Sequence, residues 1–203
     1  MIDNDLQNAI TFVSGEKPNQ IYMATDLHFY KNECRNKKPF NTKVKMDKFF
    51  NECKKLGNDD ILIVLGDIDH VDCTLEQNEK IKIFFKSLPI KKILVRGNHD
   101  ILSDNYYKEC GFIYIVDHLT YKNIVFTHLP AIWDKNLTSK RPIVDSNYFW
   151  NYRRFTKTYV CQSIYNINIH GHIHGSGEYW DTEAKGHYDM WRDTNLYSTV
   201  NKS

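Results

Sequence analysis

Five short stretches of this 203-residue chain place Asp, Asn or His behind a run of apolar residues. Thr25-Asp26-Leu27-His28 follows Ile21–Ala24, and Gly66-Asp67-Ile68-Asp69 follows Ile61–Leu65. Arg96-Gly97-Asn98-His99-Asp100 follows Ile93–Val95, and Thr127-His128 follows Ile124–Phe126. Last, His170-Gly171-His172-Ile173-His174 follows Ile167–Ile169. Carboxylate oxygen and neutral imidazole nitrogen together suit Mn, Fe, Zn and similar ions rather than Ca or a thiolate-bound metal. Seven candidate ligands are too many for one tetrahedral ion. They suit two ions bridged by a carboxylate, a device that recurs in phosphoester hydrolysis with ~3.5–4 Å between the metals. Singly, each residue has an ordinary reading: a lone His is a core or surface residue, a lone Asp a turn or cap. The ordered set at five strand ends is what points to metal.

The elements that must position these residues follow from the apolar pattern. Continuous rather than alternating runs predict buried strands at Ile21–Ala24, Ile61–Leu65, Lys92–Val95, Phe112–Val116, Asn123–Phe126 and Ile167–Ile169. Between them, Val44, Phe49, Cys53 and Leu56 form one helical stripe, ended by Gly57-Asn58. Leu75, Ile81, Phe84, Phe85 and Leu88 form another, closed by Pro89. Strand–helix alternation implies βαβ units and a parallel sheet. In such sheets ligands bind outside the carboxyl ends of the strands, where all five stretches fall. Asp117–Asn123 predicts the turn of a hairpin joining the strands on either side. Residues 129–166 are aromatic, basic and poorly periodic, with a helix predicted from Tyr148. A final strand pair is expected around Gly177–Trp180 and Asn195–Val200, giving a parallel half first and an antiparallel half later.

Composition narrows the class. A net charge of +2 does not describe a polycation that coats nucleic acid. Cys34, Cys53, Cys73, Cys110 and Cys161 are odd in number and lack a CxxC pair, so reduced, intracellular thiols are expected. The first 20 residues lack a basic n-region and apolar core, and no apolar run approaches the ~20 residues needed to span a bilayer. A soluble, cytoplasmic protein with no membrane partner is expected.

In order, D-x-H, G-D, G-N-H-D, a lone H and G-H-x-H make this chain resemble the calcineurin-like metallophosphoesterase superfamily, spanning about residues 20–177. The compact size is similar to small bacterial or phage-type members. The resemblance implies one domain over residues 1–203, an α/β fold of two packed mixed sheets flanked by helices in four α/β/β/α layers. It implies that Asp26, His28 and His174 hold a first divalent metal and Asn98, His128 and His172 a second, with Asp67 bridging. Mn2+ is the first choice of ion, with Fe, Zn, Ni and Co also suited. It further implies in-line attack by a metal-bound hydroxide, proton donation by His99 to the leaving oxygen, and support of that imidazolium by Asp100.

Around this set, Asp69 and His70 read as outer-shell partners or a solvated loop, and His170 as a packed or outer-shell neighbour. Arg96 reads as a phosphate contact or as a partner of a structural carboxylate. Lys31–Lys38 and Trp133–Lys157 could face substrate, the latter as an insertion within 129–166 bearing Arg153 and Arg154 among aromatic rings. A helix packing its rings on the core is the plainer reading of those aromatics. Asn195–Ser198 lacks the Pro-Gly common near this place in the family, so the C-terminal edge is expected to be built differently.

The substrate expected is a phosphodiester or nucleotide-like ester, with a phosphomonoester or a nuclease reaction on nucleic acid as alternatives within the fold. From a different class comes a non-catalytic binding scaffold, which the intact set including His99 disfavours. A single-zinc hydrolase would leave Asn98, His128 and one of His172 and His174 without work. Substrate identity and oligomeric state are not legible.

Overall fold

The computed structural model describes residues 6, 8–10, 20–30, 42–69, 71–134, 143–145, 158–162, 167–172, 187–189 and 197–198. In chain order the first elements are β1 (Ile21–Ala24), α1 (Thr42–Cys53), β2 (Ile61–Leu65), α2 (Leu75–Ser87), β3 (Lys91–Val95), α3 (Asp104–Glu109) and β4 (Phe112–Val116). They continue with β5 (Leu119–Tyr121), β6 (Ile124–Phe126), β7 (Ala131–Asp134), β8 (Ile143–Asp145) and β9 (Thr158–Gln162). The last are β10 (Ile167–His170), β11 (His187–Asp189) and β12 (Tyr197–Ser198).

All five residues of β2 are buried, because both faces of its sheet are covered. Period-two geometry divides them: Leu62 and Val64 face the helices, while Ile61, Ile63 and Leu65 face the second sheet. On the helical face, Met46, Phe49 and Cys53 of α1, Ile81 and Phe85 of α2 and Tyr107 of α3 form one core. Phe29, Phe49, Phe84, Phe85 and Phe112 stack through it with ring centroids 5.2–6.3 Å apart. Each fully buried ring contributes roughly 1.5–3 kcal/mol. Two stripe positions differ from expectation: Val44 is 61% exposed and Leu75 is 86% exposed. Both sit in a first helical turn, pointing away from the apolar stripe that begins one turn later.

The main sheet has order β12-β1-β2-β3-β4, with β1 to β4 parallel and β12 an antiparallel edge. The second sheet, β11-β10-β6-β5, is also mixed. It packs Leu119 and Phe126 against Ile63, Ile93 and Val95 of the first. Mixed sheets with flanking helices thus agree with the expected α/β class.

Several expectations change. The hairpin is β5–β6, turning at Lys122 (φ 53°), whereas β4 belongs to the other sheet. Asp117 and His118 therefore carry the chain between sheets instead of forming a turn. The later half is not chiefly antiparallel, since β10 runs parallel to both β6 and β11. Residues 158–162, read as helix, are the central strand of a third sheet, β7-β9-β8. Their Thr-Tyr-Val core is β-branched and aromatic, the composition of a strand. Of the final pair, Gly177–Trp180 lies outside the described residues, while Tyr197–Ser198 pairs with β1. Among the described residues, Cys53, Cys73 and Cys110 are free thiols. No described helix is long and apolar enough to cross a membrane.

Candidate metal centre

Parallel pairing of β1, β2 and β3 brings three motif-bearing ends to one edge, and β6 and β10 bring two more. The connections are short and hydrogen-bonded across: Asp26 N–H donates to Gly66 O (3.1 Å), His28 N–H to Asp67 O (2.8 Å), and Gly171 N–H to His128 O (3.0 Å). Asp26, His28, Asp67 and His172 all have positive φ, at 52°, 44°, 56° and 72°. For residues with a Cβ this costs of order 1–3 kcal/mol each and persists only where surroundings enforce it. Gly97 and Gly171 allow the close approach. A Cβ on Gly97 would overlap Asp67 Oδ1, and one on Gly171 would overlap Thr25 Oγ1 and Asp26 Oδ2.

The donors converge around Asp67. Its Oδ2 lies 3.4 Å from His28 Nε2, 3.2 Å from His128 Nε2 and 4.0 Å from His99 Nε2. His28 Nε2 is 3.7 Å from Asp26 Oδ1. His128 Nε2 is 3.1 Å from both Asn98 Oδ1 and His172 Nδ1. His128 Nδ1 lies 2.8 Å from Leu65 O; donating there sets the tautomer that turns Nε2 inward. Two groups that could hold an ion result, His28–Asp67–His99 and Asp67–His128–His172, sharing Asp67. Donors bound at ~2.1 Å to one ion stand roughly 3.0–3.4 Å apart in octahedral or tetrahedral geometry. Most of the separations above fall at or near that range, so the residues fit divalent metal.

Electrostatics agree with a pocket that favours positive charge. Burial pushes the Asp67 carboxyl up, but His128, His28 and His99 outweigh it and hold it well below the usual range. Burial pushes His128 down, yet the Asp67 and Asp26 carboxylates raise it to about 10. A divalent ion would take the place of such protons.

The remaining candidates divide. Asp100 is set on the backbone rather than assigned by these bonds to the His99 ring. Its carboxylate accepts from Asp67 N–H (2.9 Å), Ile68 N–H (3.0 Å) and Gly97 N–H (2.7 Å). Asp67 Oδ1 in turn accepts from His99 N–H (2.9 Å), so each loop's carboxylate ties down the other loop's main chain. Arg96 takes the structural role of its two. It bonds Asp100 O (2.8 Å) and Leu102 O (3.0 Å), pairs with Asp104 and lies over the Tyr107 ring. Asp69 is buried, not solvated, and burial followed by Asp100 and Asp67 pushes its carboxyl up to about 8. His170 is fully buried, with Nδ1 2.9 Å from Gly171 O. His70, His174, Arg153 and Arg154 lie outside the described residues.

Sequence reasoning missed Thr25 and Asn168. Thr25 Oγ1 contacts both Asp26 Oδ2 (2.8 Å) and Leu65 O (2.7 Å), fixing the Asp26 carboxylate against β2. Asn168 donates to Val125 O and Thr127 Oγ1 and accepts from Ala131 N–H, strapping β10 to the loop of His128. The signal for both was a polar residue inside or next to a buried strand.

No curated protein matches the chain. Among solved structures, a protein of unknown function from Aquifex aeolicus is similar, with TM-score 0.55 and 23% identity over 88% of this chain and 95% of that one. A nuclease MPE from Pseudomonas putida aligns at TM-score 0.45 and 16% identity, over 76% of this chain and 61% of that one. The model of the calcineurin-like phosphoesterases matches residues 20–202, nearly the whole sequence and every strand end described above, so the chain belongs to that family.

Proposed function

We propose that this protein is a dinuclear metal-dependent phosphoester hydrolase acting on phosphodiesters or nucleotide-like esters. The observation that carries the reading is Asp67, whose carboxylate belongs to both donor groups at once. Asp26, His28 and His174 would hold one ion, Asn98, His128 and His172 the other, and Asp67 would join them. When bound, a pair of divalent ions, Mn2+ foremost, supplies a nucleophile at neutral pH and countercharge for the phosphoryl oxygens. His99, the member of the set whose side chain keeps 18% exposure, donates the proton to the leaving oxygen. Asp100 keeps His99 and Asp67 in register by holding both loops. Arg153 and Arg154 are proposed to meet the substrate's phosphate or base.

The test is metal content of the purified protein, then hydrolysis of bis-p-nitrophenyl phosphate against p-nitrophenyl phosphate with Mn2+. Two ions per chain and faster diester hydrolysis are expected; the reverse preference would make it a monoesterase. His99→Ala should keep both ions and lose about 10²–10⁴-fold in kcat. Loss of an ion instead would make His99 a ligand. Two bound ions with no turnover of any phosphoester would leave the non-catalytic scaffold standing.

A further inference from the structure

Exposed large aliphatic side chains are unevenly placed. Val44, Val71, Leu75 and Ile101 are 61%, 43%, 86% and 64% exposed, and each lies between a strand's carboxyl end and the first turn of the next helix. They therefore share the edge that carries the donor groups. A single exposed apolar residue is ordinary. Ile101 differs in how firmly it is held out. Its N–H donates to His99 O (2.8 Å), closing a tight turn beside the histidine. Arg96 bonds the carbonyls on both sides of it, Asp100 O and Leu102 O. The preceding carboxylate, Asp100, is anchored to the neighbouring loop through Ile68 N–H. An isoleucine fixed at such a tip loses little freedom on contact, so it can contribute to binding with a small entropic cost.

We infer that Ile101, held in the turn beside His99, forms a contact for the apolar body of the departing alcohol. This rests on the reading of His99 as the proton donor, which puts the leaving group on the His99 side of phosphorus. The substrates favoured are esters whose leaving alcohol carries an aromatic or aliphatic body next to the scissile oxygen.

The test uses two methyl phosphodiesters with leaving groups of similar acidity, 4-nitrophenol and the larger bicyclic 4-methylumbelliferone, and the Mn2+-loaded full chain. The wild-type protein should favour the coumarin ester in kcat/KM. Ile101→Asn should reduce that preference about fivefold, through KM, the effect of losing contact with part of one aliphatic side chain. Ile101→Val should restore most of it. Ile83→Asn, altering an isoleucine that is also 64% exposed but lies within α2, should leave the ratio unchanged. Hydrolysis of both esters with the same ratio in Ile101→Asn as in wild type overturns the Ile101 contact alone. Hydrolysis of neither by the metal-loaded wild type overturns the hydrolase reading, and the contact with it.

Discussion

At the carboxyl edge of the main sheet, Asp26, His28 and Asp67 are buried together; at its amino edge, Lys92 is buried beside Cys53 and Cys110. At the carboxyl edge Asp67 faces His128, which holds the carboxyl low and the imidazole high, and left-handed backbone is accepted at residues whose side chains are needed. At the amino edge the left-handed position is a glycine, Gly111 at φ 88°. Lys92 is there served by carbonyls just past α2, Leu88 O and Ile90 O, each at 3.1 Å. Burial lowers its ammonium to about 8. One edge holds strain and charge in a form that an ion would complete, while the other disperses both. That difference separates a site from a solved packing problem.

The largest effect should come from breaking the carboxyl edge at its shared donor. Asp67→Ala removes the donor common to both groups, so metal stoichiometry should fall from the two ions of the proposed centre toward zero. Phosphoester turnover should drop by more than about 100-fold, the upper range for losing a mere outer-shell partner. Atomic metal analysis with a rate assay checks both. Lys92→Met should leave the metal content at the wild-type value, and a loss there would erase the contrast.

Next is Gly97→Ala, which tests whether the two carboxyl-edge loops must touch. The new methyl meets Asp67 Oδ1 and the Asp67 N atom, backbone that cannot turn aside. A destabilisation of about 3 kcal/mol is expected from such overpacking, with weaker metal binding because the carboxylate shared by the two donor groups is displaced. A denaturant titration and a Mn2+ titration of the folded protein measure the two. Unchanged Mn2+ affinity would show that the loops adapt.

The amino edge is sharpened by pH. The unfolded lysine titrates near 10.4, whereas folded Lys92 titrates at about 8. Between these values the unfolded chain binds a proton that the folded chain has released, so stability from this group rises with pH across that window. Lys92→Met should therefore gain most over wild type below pH 8 and lose that gain by about pH 10.4, a change on the order of 3 kcal/mol. Cys53 and Cys110, both pushed to about 12 by burial, act in the opposite sense above about pH 8.5. Lys92 opposes the rise at Cys53, so Lys92→Met lifts that thiol further, and comparing the two proteins in a Cys53→Ala background removes this contribution. A flat difference across pH 7–10.5 would mean that Lys92 is charged in the fold as readily as in water.

The same contrast explains what could be read from the sequence. The donors were legible because each follows an uninterrupted apolar run, and a parallel sheet gathers such ends without further information. Local signals also placed α2, whose apolar stripe is closed by Pro89. What was not legible depends on distant partners. Asp100 holds amides 32 and 33 residues away, and no local pattern distinguishes that from orienting the adjacent His99. Leu119–Tyr121 is too short to show a period, so its pairing with β6 appears only once β4 is committed to the other sheet. Val44 and Leu75 fit an apolar stripe by spacing, but the first turn of a helix need not face the core.

The smallest effect concerns Thr74, which stands at the carboxyl edge and does no chemistry. Its hydroxyl accepts from Gln77 N–H (3.2 Å), while the Gln77 side chain accepts from Thr74 N–H (2.8 Å), a reciprocal cap on α2. Thr74→Ala should cost about 1 kcal/mol, visible as a small fall in thermal midpoint, with Mn2+ stoichiometry and affinity as in wild type. The helix it starts ends just before the carbonyls that Lys92 serves, so the double variant with Lys92→Met asks whether the two ends act separately. Sites this far apart with no common contact should add within roughly 0.3–0.5 kcal/mol. A larger interaction would mean that α2 transmits strain between the edges, and the division between them would then be one of degree.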